Sequence, residues 1–326
     1  LLIVMPCHAR PGERKNGSKA DEPVSVCAKR LIRKQLKAVC RYAPRAAKNW
    51  QDDTEYVHQL RVATRRVRTA LLLFPDLLPP DELRWVGRRL REFRRAAGRA
   101  RDLDVLAERL KHAALERKDC QLDDVVRQIL ARRRKAQKPL KATYKKAKRS
   151  GFEKRSRDLA REARWRSDES EPTFADAACA RLGPYVDAFF AAAVDLSTIP
   201  SLHQMRIAGK RVRYAMELMS GAFSATVRRQ LQADFTEVQD RLGAINDLAN
   251  AIGTFMRLHQ QTDNKRHRAE LIKLVHAEQA RLVVRRDGRA HDRTGVLRGL
   301  PQRGGGAGYP QGGHQRGWFG GAVAGV

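Results

Sequence analysis

Apolar residues recur every three to four positions through almost every segment between residues 23 and 284, and no stretch alternates with the two-residue period of a β-strand. This pattern predicts an all-α protein. Its breaks fall at proline, at glycine and in short polar runs, so we expect Pro44 and the polar run Asn49–Thr54 to separate the first two helices and Gly98 to interrupt or bend a later one. We predict helices near residues 24–43, 54–74, 81–97, 123–148, 173–195, 201–220, 224–241, 246–260 and 264–284, with further periodic stretches after Leu103 and before Trp165.

Two segments of the chain have the same pattern of polar residues. His58-Gln-Leu-Arg-Val-Ala-Thr-Arg-Arg-Val-Arg68 returns 145 residues later as His203-Gln-Met-Arg-Ile-Ala-Gly-Lys-Arg-Val-Arg213. The same offset relates Gly98-x-x-x-Asp102 to Gly243-x-x-x-Asp247. Because packing alone would repeat only the apolar positions, the repeated polar residues indicate an internal duplication.

The duplication predicts two four-helix bundles packed with approximate two-fold symmetry. The first half would span residues 23–166 and the second half residues 172–284, with the polar run Ser167–Pro172 as the linker. We predict that residues 1–22 and the Arg- and Gly-rich residues 285–326 are disordered. The tail could bind RNA, although a shifted reading frame would give the same composition.

Each repeated segment has an apolar side and a basic side when it is drawn as a helix. The basic sides consist of His58, Arg61, Arg65 and Arg68 in the first copy and His203, Arg206, Lys210 and Arg213 in the second. Neither side contains a carboxylate, whereas solvated faces normally mix acidic and basic residues in i, i+4 pairs. Like charges one turn apart repel, so the pattern favours an anionic ligand over an ordinary solvated face.

The charge of the whole chain narrows the class of ligand. The formal net charge is +30 over 326 residues, and most of the excess lies between the two ends of the chain. Such a field favours nucleic acid, an anionic membrane surface or a phosphate polymer. Aromatic residues are only 6% of the sequence, so the stacking platforms typical of single-strand nucleic-acid binders are poorly represented. The composition therefore favours recognition of phosphate over recognition of bases.

Cysteine usage and hydropathy indicate a cytoplasmic protein. The five cysteines are odd in number and scattered without C-x-x-C spacing, which argues for a reducing compartment and against a disulfide frame or a zinc site. Leu1–Met5 is too short for the apolar region of a signal peptide, and Ala188–Val194 is too short to span a bilayer. We expect no membrane association.

The motifs resemble those of the CHAD family, the conserved-histidine α-helical domain. The resemblance rests on Val57–Arg68, Ala100–Val105 and Leu202–Tyr214, and it covers about residues 23–284. Members of that family are all-helical, are built as two pseudo-symmetric four-helix bundles around a basic surface, and bind inorganic polyphosphate. Many accompany a CYTH triphosphatase domain, and some associate with polyphosphate granules. The resemblance implies that the polyphosphate-binding residues are His58, Arg61, Arg65, Arg66, Arg68, His203, Arg206, Lys210, Arg211 and Arg213.

The two halves differ in charge beyond the repeated helices. Arg88, Arg91, Arg94 and Arg95 correspond, at the same offset, to Ala233, Thr236, Gln239 and Asp240. We therefore predict that the first half holds the polymer more strongly, and we add Arg88, Arg91 and Arg95 to the candidate binding residues. The basic helix of residues 123–148, which carries Arg132–Lys135, could add a peripheral surface or be an ordinary solvated face.

Two roles are open to His58 and His203. Each could donate to phosphate, more strongly when protonated. Each could instead orient its helix by bonding a backbone group or a carboxylate such as Asp102 or Asp247. Metal ligation is not expected, because neither histidine has a second His or Cys three or four residues away. We expect the two aspartates to order neighbouring arginines rather than to perform acid–base chemistry.

We predict a non-enzymatic polyphosphate-binding module that has no catalytic residues and uses no cofactor or metal. A nucleic-acid-binding helical protein is the alternative. Phosphoryl transfer normally needs Mg²⁺ held by carboxylates. The sequence contains no glycine-rich P-loop, no acidic metal cluster and no E-x-E-x-K signature of the CYTH triphosphatases, so it disfavours catalysis.

Overall fold

The structure is a computed structural model that describes residues 19–117, 121–194 and 196–292. These residues form α-helices and two short 3₁₀ turns, which confirms the predicted all-α class. The helices are α1 (Val24–Lys48), α2 (Glu55–Leu73), α3 (Pro80–Arg117), α4 (Gln121–Arg149), α5 (Phe152–Arg161), α6 (Phe174–Ala192), α7 (Ile199–Leu218), α8 (Ala225–Gln261) and α9 (Lys265–Asp292). Within this part of the chain, no helix is both long enough and apolar enough to cross a membrane.

Helices continue through three positions at which the sequence predicted an interruption. Pro44 lies inside α1, which ends at Lys48. Gly98 lies inside α3, and Gly243 lies inside α8. A glycine costs a helix only about 1 kcal/mol relative to alanine, and packing of the apolar face outweighs such local preferences.

Apart from α5, the described residues contain the same order of elements twice, namely two helices, a 3₁₀ turn and two further helices. Helix α2 leads through a 3₁₀ turn at Pro75–Leu77 into α3, and α7 leads through a 3₁₀ turn at Ser220–Ala222 into α8. The two turns, and likewise the starts of α3 and α8, are 145 residues apart, as the sequence motifs are. The duplication itself stays an interpretation of the sequence.

Two apolar clusters hold the helices together. The larger cluster includes residues of both halves, among them Leu60 of α2 and Met205 of α7, so the predicted apolar sides of both repeated segments are buried. The second cluster joins the end of α3 and the start of α4 to α8 and α9, with Leu110 and Phe255 fully buried. Helices α2 and α7 also contact each other directly, across the boundary between the halves.

Arg133 does not belong to the peripheral basic surface that the sequence suggested for α4. Its side chain is 1% exposed, and its Nε donates to Asp104 Oδ1 at 2.5 Å. Its Nη1 donates to Gln137 Oε1 at 3.0 Å, and its guanidinium lies 4.3 Å from the centroid of the Trp50 ring. Arg133 falls on the face of α4 that packs into the fold, whereas Arg132, Arg134 and Lys135 are exposed. It is a buried structural charge that no polymer can reach.

The last helix extends further than predicted, and two of the cysteines are free. Helix α9 continues to Asp292, so residues 285–292 are helical rather than part of the predicted tail. The rest of that tail, and residues 1–18 of the predicted disordered N-terminal segment, lie outside the described residues. Cys27 and Cys40 are free thiols.

Candidate functional site

The two repeated helices lie against each other, and their basic residues meet at the contact. Arg65 Nη1, on α2, donates to the hydroxyl oxygen of Tyr214, on α7, at 2.5 Å. Arg213 Nη2 donates to the same oxygen at 3.3 Å. Because Tyr214 is buried, it holds one cation from each helix at the contact. We call the cationic surface around it the seam surface; its members are Arg61, Arg65, Arg68, Arg91, Arg94, Arg95, Arg99, Arg206, Lys210, Arg211 and Arg213.

Helix α3 contributes the second row of cations to the seam surface. A cavity of about 340 Å³ is lined by Arg61, Arg65, Arg94, Arg95, Gly98, Arg99 and Asp102. Burial lowers the pKa of Arg94, and repulsion by the cations of α2 and by Arg91 lowers it further. Arg68 is affected in the same way, because burial lowers its pKa first and repulsion by Arg211 and Arg91 adds to this. The cations of three helices thus repel one another at short range, and a bound anion would relieve this repulsion.

Lys210 is the most strongly perturbed cation of this surface. Burial lowers its pKa to about 8, and repulsion by Arg206 and Arg65 contributes, while Asp247 opposes the change. The pKa of neighbouring Arg206 is also lowered, mainly by burial. A site that depresses the pKa values of several cations is prepared for negative charge, since an anion would reverse the shift.

Two carboxylates border the seam surface, and each lies beside an arginine, as the sequence predicted. Arg61 Nη1 donates to Asp102 Oδ1 at 2.9 Å and to the carbonyl oxygen of Gly98 at 3.0 Å. Arg206 Nη2 lies 3.7 Å from Asp247 Oδ1. Both aspartates are largely exposed, so they orient the arginines without neutralising the centre of the surface.

The two repeated histidines differ in their contacts. His203 Nδ1 lies 2.6 Å from the side-chain oxygen of Asn246, and this contact supports the orienting role with an amide in place of a carboxylate. The residue equivalent to Asn246 in the first half is Arg101. The side chain of half-buried His58 forms no hydrogen bond with any residue that the structure describes. The histidines are therefore not interchangeable, although the sequence repeats them.

Some predicted residues are not brought into the seam surface. Arg66 forms an ion pair with Glu217 and lines a different groove, against α1. Arg88 is exposed on α3, and no described contact joins it to the other cations. Adjacent residues of a helix point about 100° apart, which is why Arg66 diverges from Arg65.

Two tyrosines of the site were not predicted from the sequence. Tyr214 directly follows the second repeated segment, but its counterpart in the first half is Thr69, so the repeat does not reveal it. Tyr185 of α6 lies close enough to Arg68 and Arg211 to interact with both charges, which oppose the rise that burial causes in its pKa. Tyr185 lies outside all the sequence motifs, and Tyr214 ends the segment Leu202–Tyr214 without a repeated counterpart that would mark it as part of the site.

Comparisons with known proteins agree on a family and a fold. A family model described as the CHAD domain matches residues 30–255. The chain is similar to the crystal structure of the CHAD domain from the plant Ricinus communis, with a TM-score of 0.64 and 23% identity over 85% of this chain and 93% of that one. It is also similar to PptA from Streptomyces chartreusis, with a TM-score of 0.58 and 17% identity over 81% of this chain and 97% of that one. No curated protein sequence matches it.

Proposed function

Since the chain belongs to the CHAD domain family, we propose that it binds inorganic polyphosphate on the seam surface without catalysing a reaction of the polymer. Members of this family bind inorganic polyphosphate. The observation that carries the proposal is the contact between α2 and α7, where Arg65, Arg213 and Tyr214 join the cations of both repeats into one surface.

The chemistry of the seam surface suits a linear phosphate polymer. The cations from Arg61 to Arg68 extend over about 10 Å of helix at 1.5 Å per residue, and the cations of α7 form a row of similar length. Arginine supplies forked hydrogen bonds to phosphate oxygens, and Lys210 supplies a point charge. A polymer with charge on every unit and no bases needs no aromatic stacking platform. Many weak contacts along such a polymer add together and should depend strongly on salt.

The test is a variant that removes the centre of the surface and leaves the fold intact. The substitutions are Arg61→Ala, Arg65→Ala, Arg206→Ala and Lys210→Ala. We expect unchanged helicity by circular dichroism and loss of polyphosphate binding at physiological salt.

A matched control removes four exposed cations near the end of α8 and the start of α9. Its substitutions are Arg257→Ala, Lys265→Ala, Arg266→Ala and Arg268→Ala. The control lowers the net charge equally and should bind nearly as the parent does. Retained binding in the seam variant would overturn the site.

Two further measurements separate the proposal from its rivals. Displacement of polyphosphate by RNA or duplex DNA at equal phosphate concentration, across a salt series, would favour a nucleic-acid-binding function. Release of phosphate from polyphosphate in the presence of Mg²⁺ would contradict the non-enzymatic role. Association with polyphosphate granules belongs to the same proposal, and microscopy of the labelled protein in polyphosphate-rich cells tests it.

A further inference from the structure

A second cationic groove lies on another side of α2, between α1, α2 and the end of α7. Its volume is about 770 Å³. The basic residues that line it are Lys19, Arg30, Lys34, Lys37, Arg41 and Arg66. The acidic residue among its described lining residues is Glu217. We call this the α1 groove.

The basic wall of the α1 groove is built into the sequence of α1. This helix contains eight Lys and Arg residues and no Asp or Glu. Arg30, Lys34, Lys37 and Arg41 follow a helical spacing and form a row about 16 Å long at 1.5 Å per residue. A solvated helix face normally carries carboxylates that pair with such cations. Their absence from all of α1 matches the carboxylate-free basic sides of α2 and α7.

The nearby carboxylates pair with two of the cations of the groove and leave three others uncompensated. Glu22 pairs with Arg30 at one end, and Glu217 pairs with Arg66 on the opposite wall. Lys34, Lys37 and Arg41 are exposed and have no ion pair with a described carboxylate. Three neighbouring cations on one helix face therefore repel one another in the absence of a ligand.

The α1 groove is separate from the seam surface. The α2 residues that line the groove, Gln59, Val62, Ala63 and Arg66, point roughly 130° away from the basic side that contains Arg61 and Arg65. Contacts between α2 and α7 separate the groove from the seam surface. Arg65 contacts Tyr214 at the seam surface, and Arg66 contacts Glu217 in the α1 groove. A polymer segment in the seam surface would not fill the groove.

We propose that the α1 groove binds a second segment of inorganic polyphosphate, so that one molecule holds two segments at once. The choice of ligand rests on the proposed function; the existence of a second polyanion site rests on the groove. Its cations form a linear row, as an extended phosphate polymer requires. The groove offers little for stacking bases, because Phe174 is buried and the Tyr42 ring is already contacted by Arg41. The terminal segments of this chain carry net positive charge, so they are unsuited to fill it.

Calorimetric titration with short, size-fractionated polyphosphate tests the proposal. We expect the parent protein to bind two short chains. The groove variant Lys34→Gln, Lys37→Gln and Arg41→Gln should bind one, with the affinity of the remaining site nearly unchanged. A control with Lys265→Gln, Arg266→Gln and Arg268→Gln removes the same number of exposed charges from α9, which lines neither site, and should still bind two.

Each outcome of the titration assigns or removes a site. One bound chain in the parent, with unchanged affinity in the groove variant, would overturn the second site and leave the proposed function standing. The groove variant could lose binding while the four-alanine seam variant still binds. That result would support the groove and overturn the seam assignment. No binding by the parent would overturn both proposals. If RNA displaced polyphosphate from the α1 groove and not from the seam surface, the ligand assigned to the groove would be nucleic acid.

Discussion

At the scale of single residues, Tyr214 is a neutral side chain that positions two cations. Its hydroxyl oxygen accepts from Arg65 and Arg213, and its ring lies under both guanidinium groups, 5.4 and 4.9 Å from their central carbons. Tyr214→Phe keeps the ring and removes the acceptor. We expect polyphosphate affinity to fall several-fold and the free energy of unfolding to fall by about 1 kcal/mol. The salt dependence of binding should not change, because no charge is lost.

Tyr56→Phe provides the control for this substitution. The Tyr56 ring also lies near an arginine, Arg45, at 5.8 Å, but no described hydrogen bond involves its hydroxyl. It should bind as the parent does. Parent-like affinity in Tyr214→Phe as well would show that the hydroxyl does not position Arg65 for the ligand.

We expect Lys210 to make polyphosphate binding depend on pH. Burial and the neighbouring arginines lower its pKa to about 8 in the free protein, and a bound anion would raise it again by favouring the charged form. Below pH 8 the ammonium is protonated in both states, so the affinity is flat. Above pH 8 the free protein loses the proton that the complex retains, so affinity should fall by up to tenfold per pH unit. Titrations between pH 7 and about 9.5 at constant ionic strength measure this fall.

Lys210→Arg separates this titration from a general effect of alkaline pH. Arginine keeps its charge through this range, so the affinity of the variant should be independent of pH. A decline that is equally steep in the variant would assign the pH dependence to another group.

At the scale of helices, a buried ion pair links α4 to α3. Arg133 and Asp104 are almost fully buried, and Gln137 links this pair to α1 by donating to the carbonyl oxygens of Ala46 and Ala47. Arg133→Met would leave the Asp104 carboxylate buried without its partner. We expect the free energy of unfolding to fall by about 3–5 kcal/mol, measured by urea denaturation.

The neighbouring exposed arginine gives the matched control. Arg134→Met should change the free energy of unfolding by no more than about 0.5 kcal/mol. Adding Asp104→Asn to Arg133→Met should recover part of the loss, because it removes the unpaired charge. A loss in Arg133→Met that this second substitution does not reduce would mean that packing, rather than the ion pair, accounts for the effect.

The elements and site residues that could be predicted are those with a local or repeated pattern. The repeat revealed α2 and α7, and helical periodicity placed Arg61 and Arg65 on one basic side. Periodicity alone did not separate buried Arg133 from its exposed neighbours, because its partner Asp104 is 29 residues away on another helix. Tyr214 was missed for the same reason: its role comes from an arginine 149 residues away. Contacts between distant segments decide these positions, and a single sequence does not display them.

At the scale of the whole molecule, the two halves have similar elements and different charge. In the first half, α3 supplies Arg94 and Arg95 to the cavity at the seam. The corresponding residues of α8 are Gln239, which is buried, and Asp240, which is exposed. The polymer should therefore contact the α3 side more than the α8 side, and charge added to α8 should extend the binding surface.

Thr236→Arg with Asp240→Arg tests this asymmetry by placing arginines where α3 has Arg91 and Arg95. Both positions are exposed, so the fold should tolerate the change. We expect tighter polyphosphate binding and a slope of log affinity against log salt that is steeper by about two, since each added phosphate contact releases about one counterion. A control with Gln260→Arg and Asp263→Arg adds the same charge near the junction of α8 and α9 and should leave the slope nearly unchanged. An equally steep slope of log affinity against log salt in both variants would mean that the polymer responds to net charge alone. A steeper slope in Thr236→Arg with Asp240→Arg only would show that the polymer lies along α8 as well as α3.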